Sequence, residues 1–179
     1  MSLLRVLPAC ALLGAVPARA ADAPSVEFAP RFIDVHARAG LIVSVGATAP
    51  LLSATAVFGE MLAVDLSGFY VPLPGSGADL LYAALQAGPN FRFGSRNARG
   101  AGAVTDLRLL AGVDVTTGEL ETFPPRVVYI PAIICGVAVE WTRWMNRLLG
   151  VSAELAPFAG FSPPAGGVIG LRASVGLAF

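Results

Sequence analysis

An all-β fold is what this sequence of 179 residues predicts, and specifically an antiparallel up-and-down transmembrane β-barrel of eight strands. Three observations carry the prediction. Hydrophobic residues make up 55% of the chain and charged residues only 13%, whereas soluble domains average about 25% charged residues. Apolar and polar residues alternate with a period of two along most of the chain, which is typical of strands with unlike faces. The chain also ends on such a segment, GVIGLRASVGLAF.

The first element is a predicted secretory signal peptide at residues 1–20. It has a basic Arg5, an apolar run and a small-x-small cleavage site at residues 18–20. Cleavage after Ala20 leaves residues 21–179 as one barrel domain. Cys135 is then the only cysteine of the mature chain, so no internal disulfide is predicted.

Charge and hydropathy argue against a nucleic-acid-binding protein and against a membrane protein built of helices. The predicted mature chain carries ten arginines against twelve acidic residues, a net charge of about −2, and has no basic patch, so we predict no nucleic-acid partner. Residues 39–59 form the longest uncharged stretch, but Pro50 and several Gly, Ser and Thr residues make it a poor transmembrane helix. Closed barrels are the other structures that span membranes, so strands are favoured.

Seven segments alternate clearly enough to be predicted as strands. In the first, FIDVHARAGLIVSVGA, the charged residues Asp34, His36 and Arg38 all lie on one face, opposite Ile33 and Val35. The second, AVFGEMLAVDLSGFY, is the least regular because it places a glutamate on the apolar face. The seven predicted strands cover residues 32–47, 56–70, 79–93, 103–115, 127–141, 147–161 and 167–179.

An eighth strand is inferred from parity, because bacterial outer-membrane barrels have even strand numbers. We predict it at residues 25–32, SVEFAPRF, although Pro30 interrupts the alternation. TAPLLS, at residues 48–53, is predicted to be a turn, as are the other segments rich in Gly, Pro, Ser and Asn. A soluble β-sandwich is the alternative fold; its strands are shorter, about 5–6 residues, and its outward faces are charged.

The dyad repeats, the signal peptide, the segment GVAVEWTRWMNRLLGVSAEL and the terminal LRASVGLAF together resemble the small eight-stranded outer-membrane β-barrels of the OmpA/OmpX type. The resemblance implies a monomer in the bacterial outer membrane, with outer-membrane lipid and the barrel-assembly machinery as its partners. It also implies that the machinery reads an assembly signal in the alternate residues of the last strand, Leu171, Ala173, Val175, Leu177 and Phe179.

Both chain ends of such barrels lie in the periplasm. The segments TRWMN, GSRNARG and TAPLLS are then expected at the periplasmic side, and SPPAGG, TTGELETFPP and PLPGSGA at the outside. All the outer segments are short. An adhesin or a receptor is therefore disfavoured, because binding residues concentrate on long loops.

Charged residues on the polar strand faces are the candidate functional residues. Unpaired buried charges are costly, so in a narrow lumen they must pair with one another or contact water. We favour a paired polar network that closes the lumen; a narrow gated pore lined by the same side chains is the alternative. The candidates are Asp34, His36, Arg38, Asp65, Arg92, Asp106, Arg108, Asp114, Glu140, Glu154 and Arg172.

His36 is the only histidine of the chain and raises a second alternative, a lipid-modifying enzyme. Small barrels of that kind use a histidine with a serine and an acid near the outer leaflet, and no His-x-Ser pair is present here. We therefore predict a non-enzymatic protein without cofactor or metal, with His36 hydrogen-bonded to an acid in the lumen. Aromatic residues are predicted to form interfacial girdles: Tyr70, Phe91, Phe93, Tyr129, Trp141, Trp144 and Phe179.

Overall fold

The computed structural model describes residues 32–44, 47–71, 80–120, 126–163 and 166–179. These residues form a closed antiparallel barrel in which neighbours in sequence pair and the last strand pairs with the first, so the predicted fold class and strand number are confirmed. The predicted signal peptide lies outside the described residues and stays a prediction. The strands are β1 (Ile33–Ser44), β2 (Ala47–Phe58), β3 (Leu62–Val71), β4 (Leu80–Arg96), β5 (Gly102–Leu120), β6 (Arg126–Trp144), β7 (Gly150–Ser162) and β8 (Gly166–Ala178).

The strand that sequence reasoning missed is β2. Every residue of β2 pairs with β1, from Ser44 with Ala47 to Ile33 with Phe58, so the turn predicted at residues 48–53 is wrong. The reason is that both faces of β2 are apolar in part: Leu51 points inward and is buried, while its neighbour Leu52 is exposed. The alternation that marks the other strands is therefore weak. Of the predicted strand 25–32, all but Phe32 lies outside the described residues.

The second predicted strand, over residues 56–70, contains a turn. It joins the end of β2 to β3 at residues 59–61, and the N–H of Met61 donates to the carbonyl of Phe58 at 3.1 Å. Gly59 and Glu60 have φ angles of 55° and 63°, in the left-handed region that few non-glycine residues adopt. Glu60 therefore belongs to a turn, which removes the charge from the apolar face of a strand.

Because neighbouring strands are antiparallel, the connections between them lie alternately at the two ends of the barrel. One end, called here the terminal end, carries the start of β1, the end of β8 and the connections 59–61, 97–101 and 145–149. The opposite distal end carries the connections 45–46, 72–79, 121–125 and 163–165. The segment predicted as a periplasmic turn, residues 48–53, thus lies within a strand beside the distal end.

Side chains alternate between an apolar exterior and a mixed interior. Along β1 and β7 every second residue is buried over most of the strand, and large outward residues such as Leu66, Val113 and Val175 are more than half exposed. The most buried side chains, in contrast, include arginines and acids. This distribution is the reverse of that in a soluble protein and matches a barrel surrounded by lipid.

No helix long and apolar enough to cross a membrane occurs in the described parts of the chain.

Two glycines allow β1 and β8 to close the barrel. A Cβ atom on Gly40 would lie 2.0 Å from the carbonyl oxygen of Ala173, and one on Gly176 would lie 2.0 Å from that of Ala37. No side chain is accommodated at such a distance without moving the backbone. Both glycines therefore permit the close strand approach on which the lumen geometry depends.

Candidate functional site

Arg38 lies at the centre of the lumen and contacts acids from three other strands. From β1, its Nη1 lies 2.5 Å from Oε1 of Glu140 on β6. Its Nη2 lies 2.9 Å from Oε2 of Glu154 on β7 and 3.4 Å from Oδ2 of Asp65 on β3. These four side chains are at most 1% exposed. One guanidinium group thus connects four strands across the barrel axis.

Arg108 and Arg172 complete this group. Arg108 on β5 donates to Glu140, and also to Oε2 of Glu154 at 3.0 Å. Arg172 on β8 donates to Oδ1 of Asp65 at 2.9 Å. We call the set the central network; its three arginines face three acids, so its formal charges balance. Its members are Arg38, Asp65, Arg108, Glu140, Glu154 and Arg172.

Hydroxyl groups of β2 and β3 also contact the central network. The Thr55 hydroxyl of β2 accepts a hydrogen bond from Arg38 and donates to Oδ2 of Asp65 at 2.7 Å. Ser67 of β3 accepts a hydrogen bond from Arg172 at 2.9 Å. Hydrogen bonds to charged groups are stronger than those between neutral groups, so these hydroxyls hold the arginine side chains in place.

His36 is fully buried beside the central network. Its Nδ1 lies 2.8 Å from Oε1 of Glu140, and its ring meets the ring of Trp144 edge-on, with centroids 6.3 Å apart. The sequence-based expectation of a lumen histidine beside an acid agrees with this position. The enzyme alternative requires the histidine at the lipid-facing surface or in a ligand pocket near the outer leaflet, whereas His36 is buried in the lumen and pairs with Ala178 at the end of β8.

A second group of charges, called here the terminal network, lies toward the terminal end. Arg92 on β4 binds both carboxylate oxygens of Asp106, at 2.8 and 3.0 Å. Its Nη1 also donates to Asp34 at 2.7 Å and to Glu60 at 3.0 Å. Arg96 donates to the same carboxylate oxygen of Asp34 at 2.5 Å. Nine of the eleven lumen residues that the sequence predicted belong to the two networks, and a tenth, His36, contacts the central network.

Asp114 is a predicted lumen residue that lies in the lumen but belongs to neither network. It points into the lumen from β5 between Ala84 and Ala132, closer to the distal end. No ion pair of Asp114 occurs within the described ranges. The reason is its surroundings, because the residues that line the lumen here are mostly apolar.

Trp144 was predicted in a turn and in an interfacial girdle, and that prediction is wrong. It is the last residue of β6 and points inward, with 1% of its surface exposed. The Arg96 guanidinium carbon lies 3.6 Å from the centroid of its ring, a cation–π contact that covers the terminal network. The other six aromatic residues of the predicted girdles are all exposed.

Sequence reasoning missed three residues that belong to the two networks or contact them. Arg96 was assigned to a turn, Glu60 to the apolar face of a strand, and Thr55 to the unrecognised β2. Glu60 offered the one usable signal, because a charge that breaks a regular alternation marks a strand end or a bulge. The other two depend on strand bounds that the dyad pattern did not resolve.

A metal ion does not fit the acids of the lumen well. His36, Asp106 and Glu140 offer ligand atoms that lie within 4.8 Å of one another. Arginines already bind both carboxylates, however, and a metal cation would have to displace or oppose them. We therefore assign no metal to these residues.

The residues of the predicted assembly signal all point away from the lumen. Leu171, Ala173, Val175, Leu177 and Phe179 are exposed along β8 and at its end. Phe179 also exchanges two backbone hydrogen bonds with Val35, at 2.8 and 3.1 Å, and so closes the barrel at the terminal end. Recognition by the assembly machinery stays a prediction.

Comparison with known proteins finds solved structures with a similar fold. No family model matches the chain, and no curated protein matches it. Among solved structures, the chain is similar to Neisserial surface protein A (NspA), with a TM-score of 0.55 and 14% identity over 82% of this chain and 94% of that one.

The N-terminal β-barrel domain of Pseudomonas aeruginosa OprF also matches, with a TM-score of 0.49 and 13% identity over 82% of this chain and 97% of that one. At these identities the likeness to NspA shows the fold, a small eight-stranded barrel of the type that the sequence resembles.

Proposed function

We propose that the chain is a non-enzymatic β-barrel of the bacterial outer membrane, with a structural or interaction role and a lumen closed by paired charges. The observation that carries the proposal is the central network. It joins arginines and acids of six strands across the barrel axis, with side chains that are at most 2% exposed.

The exterior supports the membrane location. Its outward residues are large and apolar around the whole barrel, and exposed aromatic residues such as Tyr70, Phe93, Tyr129 and Trp141 suit the interfaces with lipid head groups. We place the terminal end in the periplasm, because both ends of outer-membrane barrel chains lie there. The short distal connections at residues 45–46 and 163–165 then face outside.

The lumen is closed in this proposal because its charges have partners. An eight-stranded barrel has room for little more than its own side chains. Opening a path would require Arg38 or Arg108 to leave its acids, and breaking a buried ion pair costs about 3–5 kcal/mol. A resting pore lined by the same residues would instead leave the arginines solvated and separated from the acids.

Planar-bilayer recording tests the closed lumen. The reconstituted protein, whose insertion is verified by the mobility shift of folded barrels on unheated gels, is expected to give no conductance steps. The variant with Arg38→Ala and Arg108→Ala is expected to conduct, because it removes the two side chains that cross the axis. Steady conductance steps from the unaltered protein would contradict the closed lumen and favour the pore.

Cysteine labelling in whole cells tests the location and orientation. In a Cys135→Ala background, Pro163→Cys in the exposed distal turn after β7 is expected to react with a polyethylene-glycol maleimide too large for porins. Asn97→Cys, in the turn 97–101, is expected to react only after the outer membrane is disrupted. The reverse pattern would contradict the orientation, and a chain that fractionates as a soluble protein would contradict the membrane location.

A further inference from the structure

The distal half of the lumen contains a cavity of about 330 Å³. Ligand pockets in proteins span roughly 300–1,000 Å³ and are lined mainly by apolar side chains with a few polar groups. Here six large apolar or aromatic residues reach inward from different strands, and the lining also includes Asp114 and four serine or threonine residues. The apolar lining includes Ile42, Phe69, Tyr82, Ile130, Phe158 and Val168.

Asp114 is the polar group that makes this cavity unusual. It is more than nine-tenths buried, and its Oδ1 has no hydrogen-bond partner in the part of the chain that the structure describes. The acids of the two networks, in contrast, all face arginines. A buried carboxylate oxygen without a hydrogen-bond partner is costly, so the site is complementary to a group that brings a positive charge or hydrogen-bond donors.

Beside the cavity, β2 and β3 stop pairing with each other before either strand ends. The ladder between β2 and β3 ends at Leu52 and Gly68, although β2 extends to Ala47 and β3 to Val71. Pro50 contributes to this, since proline has no N–H to donate to a ladder. Thr48 and Phe69, which flank the separated strand ends, both line the cavity. The cavity therefore borders a part of the wall where β2 and β3 do not pair with each other, although each still pairs with its other neighbour.

We propose that this cavity binds one small amphiphile, a single alkyl chain or aryl body that carries an ammonium group, with Asp114 contacting the ammonium. The walls favour an apolar body, the carboxylate favours a cation, and the volume excludes a lipid with two acyl chains. A bare metal ion fits poorly, because hard cations take several oxygen ligands and the lining offers mostly carbon. This inference goes beyond the proposed function, which requires no ligand.

Amide NMR of the protein in phosphatidylcholine nanodiscs provides the test, with decylamine as the probe and decanol and decanoate as matched chains. Decylamine is expected to shift the amides of Thr116, Ala132 and Val168 in a saturable way. Decanol is expected to bind more weakly, because it lacks the charge, and decanoate to bind least, because two anions repel each other.

Three variants distinguish the contribution of the Asp114 charge to binding from the contribution of the apolar cavity. Asp114→Asn is expected to weaken decylamine binding by at least about tenfold, to the level of decanol, since a charge-assisted contact is lost. Glu60→Gln removes one negative charge at the other end of the barrel and is expected to leave binding unchanged. Ala132→Trp fills the cavity and is expected to abolish binding of both probes, while the gel mobility shift verifies that each variant folds.

Two results would overturn the proposal. One is a set of decylamine shifts confined to residues that face the lipid, which would show partition into the bilayer only. The other is equal decylamine affinity in the Asp114→Asn and Glu60→Gln variants, which would show that the carboxylate takes no part. Neither result bears on conductance, so the closed lumen and the cavity ligand are tested separately.

Discussion

Replacing Glu140 with glutamine tests whether the central network stabilises the barrel through its charges. Glutamine preserves the shape of the side chain but leaves Arg38, Arg108 and Arg172 facing only two acids. Removing one partner of a buried ion pair costs about 3–5 kcal/mol. Glu154 still contacts Arg38 at 2.9 Å and Arg108 at 3.0 Å, so we expect the lower end, about 3 kcal/mol of lost unfolding free energy.

The assay is equilibrium urea unfolding of the refolded barrel in lipid vesicles, followed by tryptophan fluorescence and by gel mobility. Glu60→Gln is the matched control, because it makes the same chemical change in a side chain that is 39% exposed. Exposed ion pairs contribute about 0–1 kcal/mol. Equal losses in the two variants, or a loss below about 1 kcal/mol for Glu140→Gln, would refute the reasoning.

A double variant separates lost charge from lost packing. Arg108→Gln together with Glu140→Gln leaves two arginines facing two acids in the central network, so its formal charges balance again. We therefore expect the double variant to lose less free energy than the sum of the two single variants, because no buried charge is left uncompensated. Strict additivity would indicate that the charges of these two residues do not interact.

Three further predictions concern closure and chemistry. Gly40→Ala is expected to prevent folding, because its Cβ would meet a β8 carbonyl oxygen at 2.0 Å, whereas Gly167→Ala, whose nearest neighbour would be 3.8 Å away, is expected to fold; the gel mobility shift reports both. Deletion of Phe179 removes two hydrogen bonds to Val35 and is expected to cost about 1–3 kcal/mol in the urea assay. His36→Ala is expected to leave the lipid composition of the cell envelope unchanged by mass spectrometry, and an altered lipid profile would contradict a non-enzymatic function.

The dyad pattern predicted most strands because it follows from local geometry. Successive side chains of a strand point to opposite faces, so a face between lipid and lumen appears in the sequence as alternation. Most of β2 was not predicted as a strand because its inward Leu51 is as apolar as its outward Leu52; only residues 56–58 fell within a predicted strand. Glu60 seemed to lie on an apolar face because it shares the spacing of Leu62 and Leu66, but it belongs to the turn at residues 59–61, where side chains do not follow the alternation of a strand.

By itself the sequence determined for most of the predicted strand residues which face the lumen and which face outward, because the period of two is a local property of each strand; Trp144 and most of β2 are the exceptions. Only the tertiary structure decided which lumen charges meet, since partners such as Arg38 and Glu140 are 102 residues apart and depend on the register of every intervening ladder. The same registers join nine predicted residues in two networks, place His36 beside one of them and leave Asp114 among apolar walls. Whether a lumen charge finds a partner therefore depends on strand pairing around the closed barrel, which no local sequence pattern encodes.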